Sequence, residues 1–319
     1  MNILDHVVAQ NAAPALVFPD HALSYAELSA RSDALACRIG GARRLVALEA
    51  QPSADFVISY LACLKAGHAI ALLPPGDAAA AETFTRDFRP EIAFALAGGK
   101  WRMTEHAARP CRALHPDLAV MLATSGSEGR PRWVRLSREN IASNAASIVS
   151  YLGLTAQDRV AQALPFHYSY GLSVLHSHLA AGGSLAFCGG GVIEDGFIAT
   201  AARLGCTGLS GVPFTFDLLE RISFRDRLWP ALRYMTAAGG RLAPDLVTRY
   251  AEALNAKGGR FFVMYGQTEA TARMAYLPPE EATRHPDCIG IAIPGGRFRI
   301  AGPDGQTVTA PGQEGELLY

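Results

Sequence analysis

Apolar positions along this chain fall into two alternating rhythms. Residues 24–39, SYAELSARSDALACRI, place Leu28, Leu35 and Ile39 where one face of a helix would carry them. Ser24 and Glu27 stand at capping-box spacing at its start. RLVALEA (44–50) has the length and apolar run of a strand. DFVISYLACLKAG (55–67) predicts a second helix stopped by Gly67, and HAIALLPP (68–75) a buried strand ended by proline.

Residues 76–116 mix alanine-rich and charged pieces and carry no regular rhythm. DLAVMLAT (117–124) resumes as an apolar strand, then a polar loop leads to a helix over SRENIASNAASIVSYLG (137–153). A second round runs through VAQALPF, GLSVLHSHLAAG and SLAFCGG. A third runs through TGLSGVP, FTFDLLERI, LRYMTAAGG, PDLVTRYAEALN and RFFVMYG. Strand and helix in alternation predict an α/β fold, a parallel sheet with helices packed on its faces. We expect α/β subdomains over about 1–160 and 161–284. Glycine, proline and short β-prone runs then predict a β-rich region over 285–319.

Composition narrows the function classes. Half of the 319 residues are apolar, and 29 basic side chains balance 29 acidic ones. Zero formal charge leaves no broad electrostatic footprint for nucleic acid, so no nucleic-acid partner is expected. The longest apolar runs stay under ten residues, against the roughly 20 needed to span a bilayer. The six cysteines are scattered without a CxxC pair, which reads as reduced thiols. With no signal-peptide pattern at the start, a cytoplasmic protein without a membrane span is the expectation.

The polar loop is the first candidate for chemistry. Thr124, Ser125, Gly126, Ser127 and Gly129 are followed by Arg130, Arg132 and Arg135. Hydroxyls and backbone N–H groups between a strand and a helix suit phosphate oxygens, and arginine adds charge. A Walker A frame from Gly126 would need glycine at Pro131, and no lysine follows. An ordinary polar turn is the competing reading, and Glu128 brings a negative charge into the loop. Ser125 and Ser127 also raise a serine amidase, but Lys100 stands in no supporting motif. His176 and His178 fall on different faces of the predicted helix and are read as structural.

TSGSEGRPRWV (124–134), taken with the segments that follow it, resembles the phosphate loop of the adenylate-forming superfamily. LPFHYSYGLS (164–173), AAGGRLAP (237–244) and MYGQTEAT (264–271) are similar to that family's next motifs, in the same order. IGIAIPGGRFRI (289–300) and GEL (315–317) resemble later ones. The resemblance implies the large N-terminal domain of an acyl-CoA synthetase-like ligase, with sheets sandwiched by helices and a small β-rich subdomain. It implies ATP and Mg2+, with a CoA or phosphopantetheine thiol as acceptor in the full-length enzyme. A small carboxylic acid and an acyl carrier protein are the implied partners.

The resemblance also assigns roles. The nucleotide would meet Thr124, Ser125, Gly126, Ser127, Glu128, Gly129, Gly239, Gly240, Arg241, Tyr265, Gly266 and Thr268. Tyr265 matches the aromatic stacked on adenine, Thr268 the hydroxyl on the α-phosphate, and Glu269 the metal-binding carboxylate. Arg132 replaces the usual lysine, a planar fork for a point charge. Trp133 replaces a small glycine and is expected to reshape the loop's exit. His167, Thr268, Glu269 and Arg132 form the implied catalytic set. His167, Tyr168, Gly171, Ser210, Val212, Gly239, Gly240 and Gln267 form the implied acid pocket.

Amino-acid-activating relatives hold the substrate ammonium with an Asp in the segment matching 168–173, where this chain offers only neutral groups, with Gly171 at about that place. Burying an ammonium without a carboxylate is costly, which favours a fatty or aryl acid lacking an α-amino group. An amino-acid adenylation domain and a non-catalytic nucleotide- or acyl-adenylate-binding module stay open as alternatives. The family continues past GEL to a ribose-binding Asp and a small domain with a catalytic lysine. These residues end before both, so poor adenylation by this chain alone is the expectation.

Overall fold

The computed structural model describes residues 12–106, 113–124 and 132–319. The chain opens with β1 (Pro14–Val17) and β2 (Ala22–Ser24), then α1 (Tyr25–Ile39), β3 (Leu45–Glu49), α2 (Ala54–Lys65) and β4 (Ala69–Leu73). Next come α3 (Ala78–Phe88), β5 (Ile92–Ala97), β6 (Lys100–Glu105), β7 (Leu118–Thr124), β8 (Arg132–Ser137) and α4 (Arg138–Leu152). The second half runs β9 (Arg159–Ala161), α5 (Ser169–Ala180), β10 (Ser184–Ala186), α6 (Asp195–Arg203), β11 (Gly208–Gly211) and α7 (Pro213–Arg221). It continues β12 (Tyr234–Ala237), α8 (Pro244–Asn255), β13 (Arg260–Tyr265), β14 (Ala275–Leu277), β15 (Ile291–Ala292), β16 (Arg299–Ala301) and β17 (Glu316–Leu318).

Local chemistry fixes several ends. Ser24 and Glu27 make the reciprocal capping box of α1, and Ser137 with Asn140 repeats it on α4. Gly153 closes α4 in the left-handed region at φ 61°. Pro244 sits at the first turn of α8, where its missing N–H costs nothing.

Two large sheets result. One has the order β6-β5-β3-β4-β7-β8, parallel at its centre with antiparallel edges. The other has the order β15-β14-β13-β12-β11-β9-β10-β1-β2, parallel from β13 to β1. β16 and β17 form a separate antiparallel pair. Sheet membership does not follow chain order, because β1 pairs in parallel with β10 through Leu16 and Leu185.

The period-two alternation of strands sorts side chains into layers. Val46, Leu48, Ile70 and Leu72 face a core shared with α1, α2, α4, α5 and the second sheet. Leu45, Ala47, Ala71 and Leu73 face the opposite way, onto Phe84 of α3. The far face of the second sheet packs on α6, α7 and α8 through Phe197, Phe216 and Tyr250. Five layers follow: helix, sheet, central helices, sheet, helices. Strands covered on both faces read as continuous apolar runs, as parallel sheets require. Among the described residues, no helix is long and apolar enough to cross a membrane.

Candidate active site

The carboxyl ends of parallel strands are where open α/β sheets bind ligands. Here the ends of β11, β12 and β13 deliver Val212, the 239–241 turn and Tyr265 to one rim. The loop entering α5 adds His167 and Tyr168, and the first residue of that helix is Ser169.

Residues 266–272 turn the chain tightly from β13 into antiparallel β14, where Tyr265 pairs with Ala275. The amides of Ala270 and Ala272 both donate to the Gln267 carbonyl at 3.1 Å. Thr271 and Ala272 take φ of 61° and 90°, a conformation that costs L-residues energy and is seen at functional sites. Gly266 is dictated by contact: a Cβ there would lie 1.7 Å from the Ala272 carbonyl oxygen. The turn docks on α5, with Thr268 Oγ1 3.1 Å from Ser169 Oγ.

Around this turn the motif residues assemble. Gly239 has φ 81°, and a Cβ there would lie 2.4 Å from the Tyr168 hydroxyl and 3.1 Å from Val212. Gly240 abuts Pro213, and Gly239, Gly240 and Arg241 are exposed. Tyr265 is exposed at the rim. Gln267 and Glu269 are also exposed and border an open cleft of about 500 Å³. Asn140, Ser143 and Ser147 of α4 form its other wall.

Gly171 is set by packing: a Cβ would lie 2.3 Å from the Pro165 carbonyl oxygen, so α5 can approach that backbone. Gly171 and Ser210 line a small cavity with Leu164 and Val174. Tyr170 fills the neighbouring space, its hydroxyl within 2.9 Å of the Thr236 carbonyl and 2.7 Å of the Thr236 hydroxyl. His167 is half-buried with Nδ1 enclosed and without a hydrogen-bond partner. Burial holds its imidazole below the ordinary histidine range, so the ring is neutral at pH 7.

The phosphate-loop positions Ser125, Gly126, Ser127, Glu128 and Gly129 lie outside the described residues. Their anchors do not: Thr124 ends β7, Arg132 begins β8, and the two pair across the hairpin. Arg132 is exposed. Trp133 packs on Phe84 and Phe88 of α3, with centroids 4.7 and 5.9 Å distant. These contacts tie β8 to the outer helix; the loop's exit, where the reshaping was expected, lies outside the described residues.

His176 and His178 behave as structural groups. His176 Nε2 lies 2.7 Å from the Tyr60 hydroxyl, and His178 Nε2 lies 2.6 Å from that of Tyr234. No group of three or more His, Cys, Asp or Glu able to hold a metal occurs among the described residues. Sequence reading passed over Ser169 and Arg273. Arg273 sits inside the apolar run ATARMAYL, and that interruption was the available signal.

Comparison with known proteins bears on the family and the fold. Tyrocidine synthase 2 from Brevibacillus parabrevis is 28% identical over 95% of this chain and 9% of its own length. Oxalate–CoA ligase from Arabidopsis thaliana is 30% identical over 64% of this chain and 40% of its own length. The chain thus spans less than half of either relative. The structure of o-succinylbenzoate CoA synthetase from Bacillus subtilis superimposes with a TM-score of 0.82 at 24% identity, over 99% of this chain and 68% of that one. The fold is that of the N-terminal domain of adenylate-forming enzymes. Residues 4–319 match the AMP-binding enzyme family, and the chain belongs to it.

Proposed function

We propose that this site activates a carboxylic acid lacking an α-amino group, fatty or aryl, to an acyl-adenylate. A carboxylate oxygen of the acid attacks the α-phosphorus of ATP, the bond to the bridging oxygen breaks, and pyrophosphate leaves. The acyl group then passes to a CoA or carrier-protein thiol in the full-length enzyme. The observation that carries this reading is the docking of Thr268 on Ser169. It joins the YGQTE turn to α5 at the rim where Tyr168, Val212 and Gly239 meet.

Tyr265 offers its face to adenine, and Thr268 donates to an α-phosphate oxygen. Neutral His167 lines the carboxylate side without adding a charge. Such a reaction asks the protein mainly for positioning and charge neutralisation. Magnesium is commonly held by one or two carboxylates together with water and substrate phosphates. Glu269 fits that donor set: it is exposed on the cleft, and no described residue pairs with it. The metal would supply charge neutralisation at the phosphates.

Calorimetric titration of ATP with and without Mg2+ tests the nucleotide half. The expected result is Mg2+-dependent affinity that Glu269→Gln lowers about tenfold, the scale of one lost charge-assisted contact. Equal affinity in both proteins would sink the role of Glu269. Similarity to tyrocidine synthase 2 along nearly the whole chain favours a second reading, an amino-acid adenylation domain. Pyrophosphate exchange by the full-length enzyme decides between them, since amino acids would drive it in the second reading and simple acids in the first.

A further inference from the structure

Helix α4 turns an apolar stripe of Ile141, Ala145, Ile148 and Leu152 into the core. Asn144 stands within that stripe and is 7% exposed. An amide buried there is costly unless it is hydrogen-bonded, so its partner shows what it holds. Its Nδ2 donates to the Arg273 carbonyl at 2.9 Å. That carbonyl is the exit of the 266–272 turn, directly after Thr271 and Ala272 at positive φ.

Two L-residues in that region persist only where their surroundings hold them. Backbone bonds hold the turn from within: the Thr271 amide donates to the Thr268 carbonyl at 3.0 Å, and the Met274 amide to the Tyr265 carbonyl at 2.9 Å. Two side chains grip it from outside. Ser169 of α5 meets Thr268 at the entry, and Asn144 of α4 meets Arg273 at the exit. Glu269 lies between the two grips.

The remainder of α4 is seated on strands. Ser147 Oγ donates to the Pro294 carbonyl at 2.6 Å, and the Tyr151 hydroxyl to Met264 Sδ at 3.0 Å. The Tyr151 ring stacks on Tyr276 at 4.4 Å. Those contacts seat β13 and β14 on α4 without Asn144; of the four, the Asn144 bond is the one that reaches the turn. Asn144 and Glu269 also border the same open cleft.

We propose that Asn144 is a positioning residue for the nucleotide site. By holding the Arg273 carbonyl it fixes the turn against α4, and with it the reach of the Glu269 carboxylate toward a phosphate-bound divalent cation. It acts through the turn and not on the nucleotide. The inference rests on the nucleotide half of the acid-activating reading and adds the group that holds its metal-binding residue in place.

Amide hydrogen exchange on protein without ligand is the first arm of the test. Asn144→Leu is expected to speed exchange of the Ala270, Thr271 and Ala272 amides roughly three- to tenfold, the scale of one hydrogen bond. The β13 amides paired with β12 should stay protected. Asn144→Gln keeps an amide donor and should retain part of the turn's protection. ATP titration with and without Mg2+ is the second arm. Asn144→Leu should lose affinity by a similar factor with Mg2+ and little without it, because only the metal contact depends on the reach of Glu269. Unchanged exchange in the turn overturns the proposal, and so does Asn144→Gln as damaging there as Asn144→Leu. An affinity loss equal with and without Mg2+ also overturns it, being the pattern of a general packing defect. Should Asn144→Leu fail to fold, Asn144→Ser, too short to reach the carbonyl, takes its place. Wild-type protein indifferent to Mg2+ sinks the role of Glu269 and this proposal with it. A failure of the underlying reading thus shows in the wild type, and a failure of this inference only in the variants.

Discussion

At the scale of single residues, the site is shaped by what cannot be larger. Gly266 admits no Cβ because the Ala272 carbonyl occupies its place at 1.7 Å. Without a Cβ at 266 the Ala272 carbonyl can approach so closely, in a turn where Thr271 and Ala272 take positive φ and Thr268 lies beside Ser169. Gly266→Ala is expected to open the turn and cost about 3 kcal/mol, the upper range for overpacking a tight site. Urea unfolding reads that loss, and ATP titration should show at least a tenfold fall in affinity. Unchanged values in both would mean that the turn tolerates a Cβ at 266. The motif residues were legible because their chemistry is local in sequence. Arg273 was not, since a lone arginine in an apolar run does not reveal whether its charge reaches water or lies on Tyr170.

At the scale of elements, local signals carried far and pairing partners did not. The capping box at Ser24 and Glu27 marked a helix start where the structure has it. α3 lay in the stretch without rhythm, because an alanine run buries little and Phe84 alone of its residues is fully enclosed. β8 was taken into the polar loop, since its arginines suggested phosphate while Trp133 and Leu136 were already strand positions. β1 pairs with a strand far along the chain, a register no local periodicity encodes. β7 and β8 pair at either end of the motif proposed to bind phosphate, and Trp133 ties β8 to α3. Trp133→Ala should therefore cost about 2 kcal/mol for a half-buried aromatic. Thermal unfolding measures that loss. An accompanying fall in ATP affinity would show that the loop's placement depends on this outer packing, whereas destabilisation with full affinity would confine Trp133 to the scaffold.

At the scale of the whole molecule, α5 joins the layers, and it does so through two neutral imidazoles. His176 reaches Tyr60 on α2, and His178 reaches Tyr234 on β12, so one helix links its central layer to the second sheet. Burial lowers His176 to about 3. Burial also lowers His178 to about 4, against the opposing effects of the Val174 carbonyl and Asp158. In the unfolded chain both titrate near 6.5, so below that pH the unfolded state binds the extra protons. Stability from these groups is therefore complete above about pH 6.5 and declines as pH falls toward the folded values. Between pH 7 and 5 the loss is about 2 kcal/mol per histidine, roughly 4 for the pair, a large part of a typical domain's margin. Urea unfolding at the two pH values measures it. His178→Gln, which keeps a polar partner for Tyr234 without a titrating ring, should reduce the pH-dependent loss by about half while lowering stability at pH 7 only modestly. A pH dependence that is the same in wild type and variant would mean that the His178 imidazole takes up its proton at the same pH folded and unfolded, so that its contact with Tyr234 does not depend on a neutral ring.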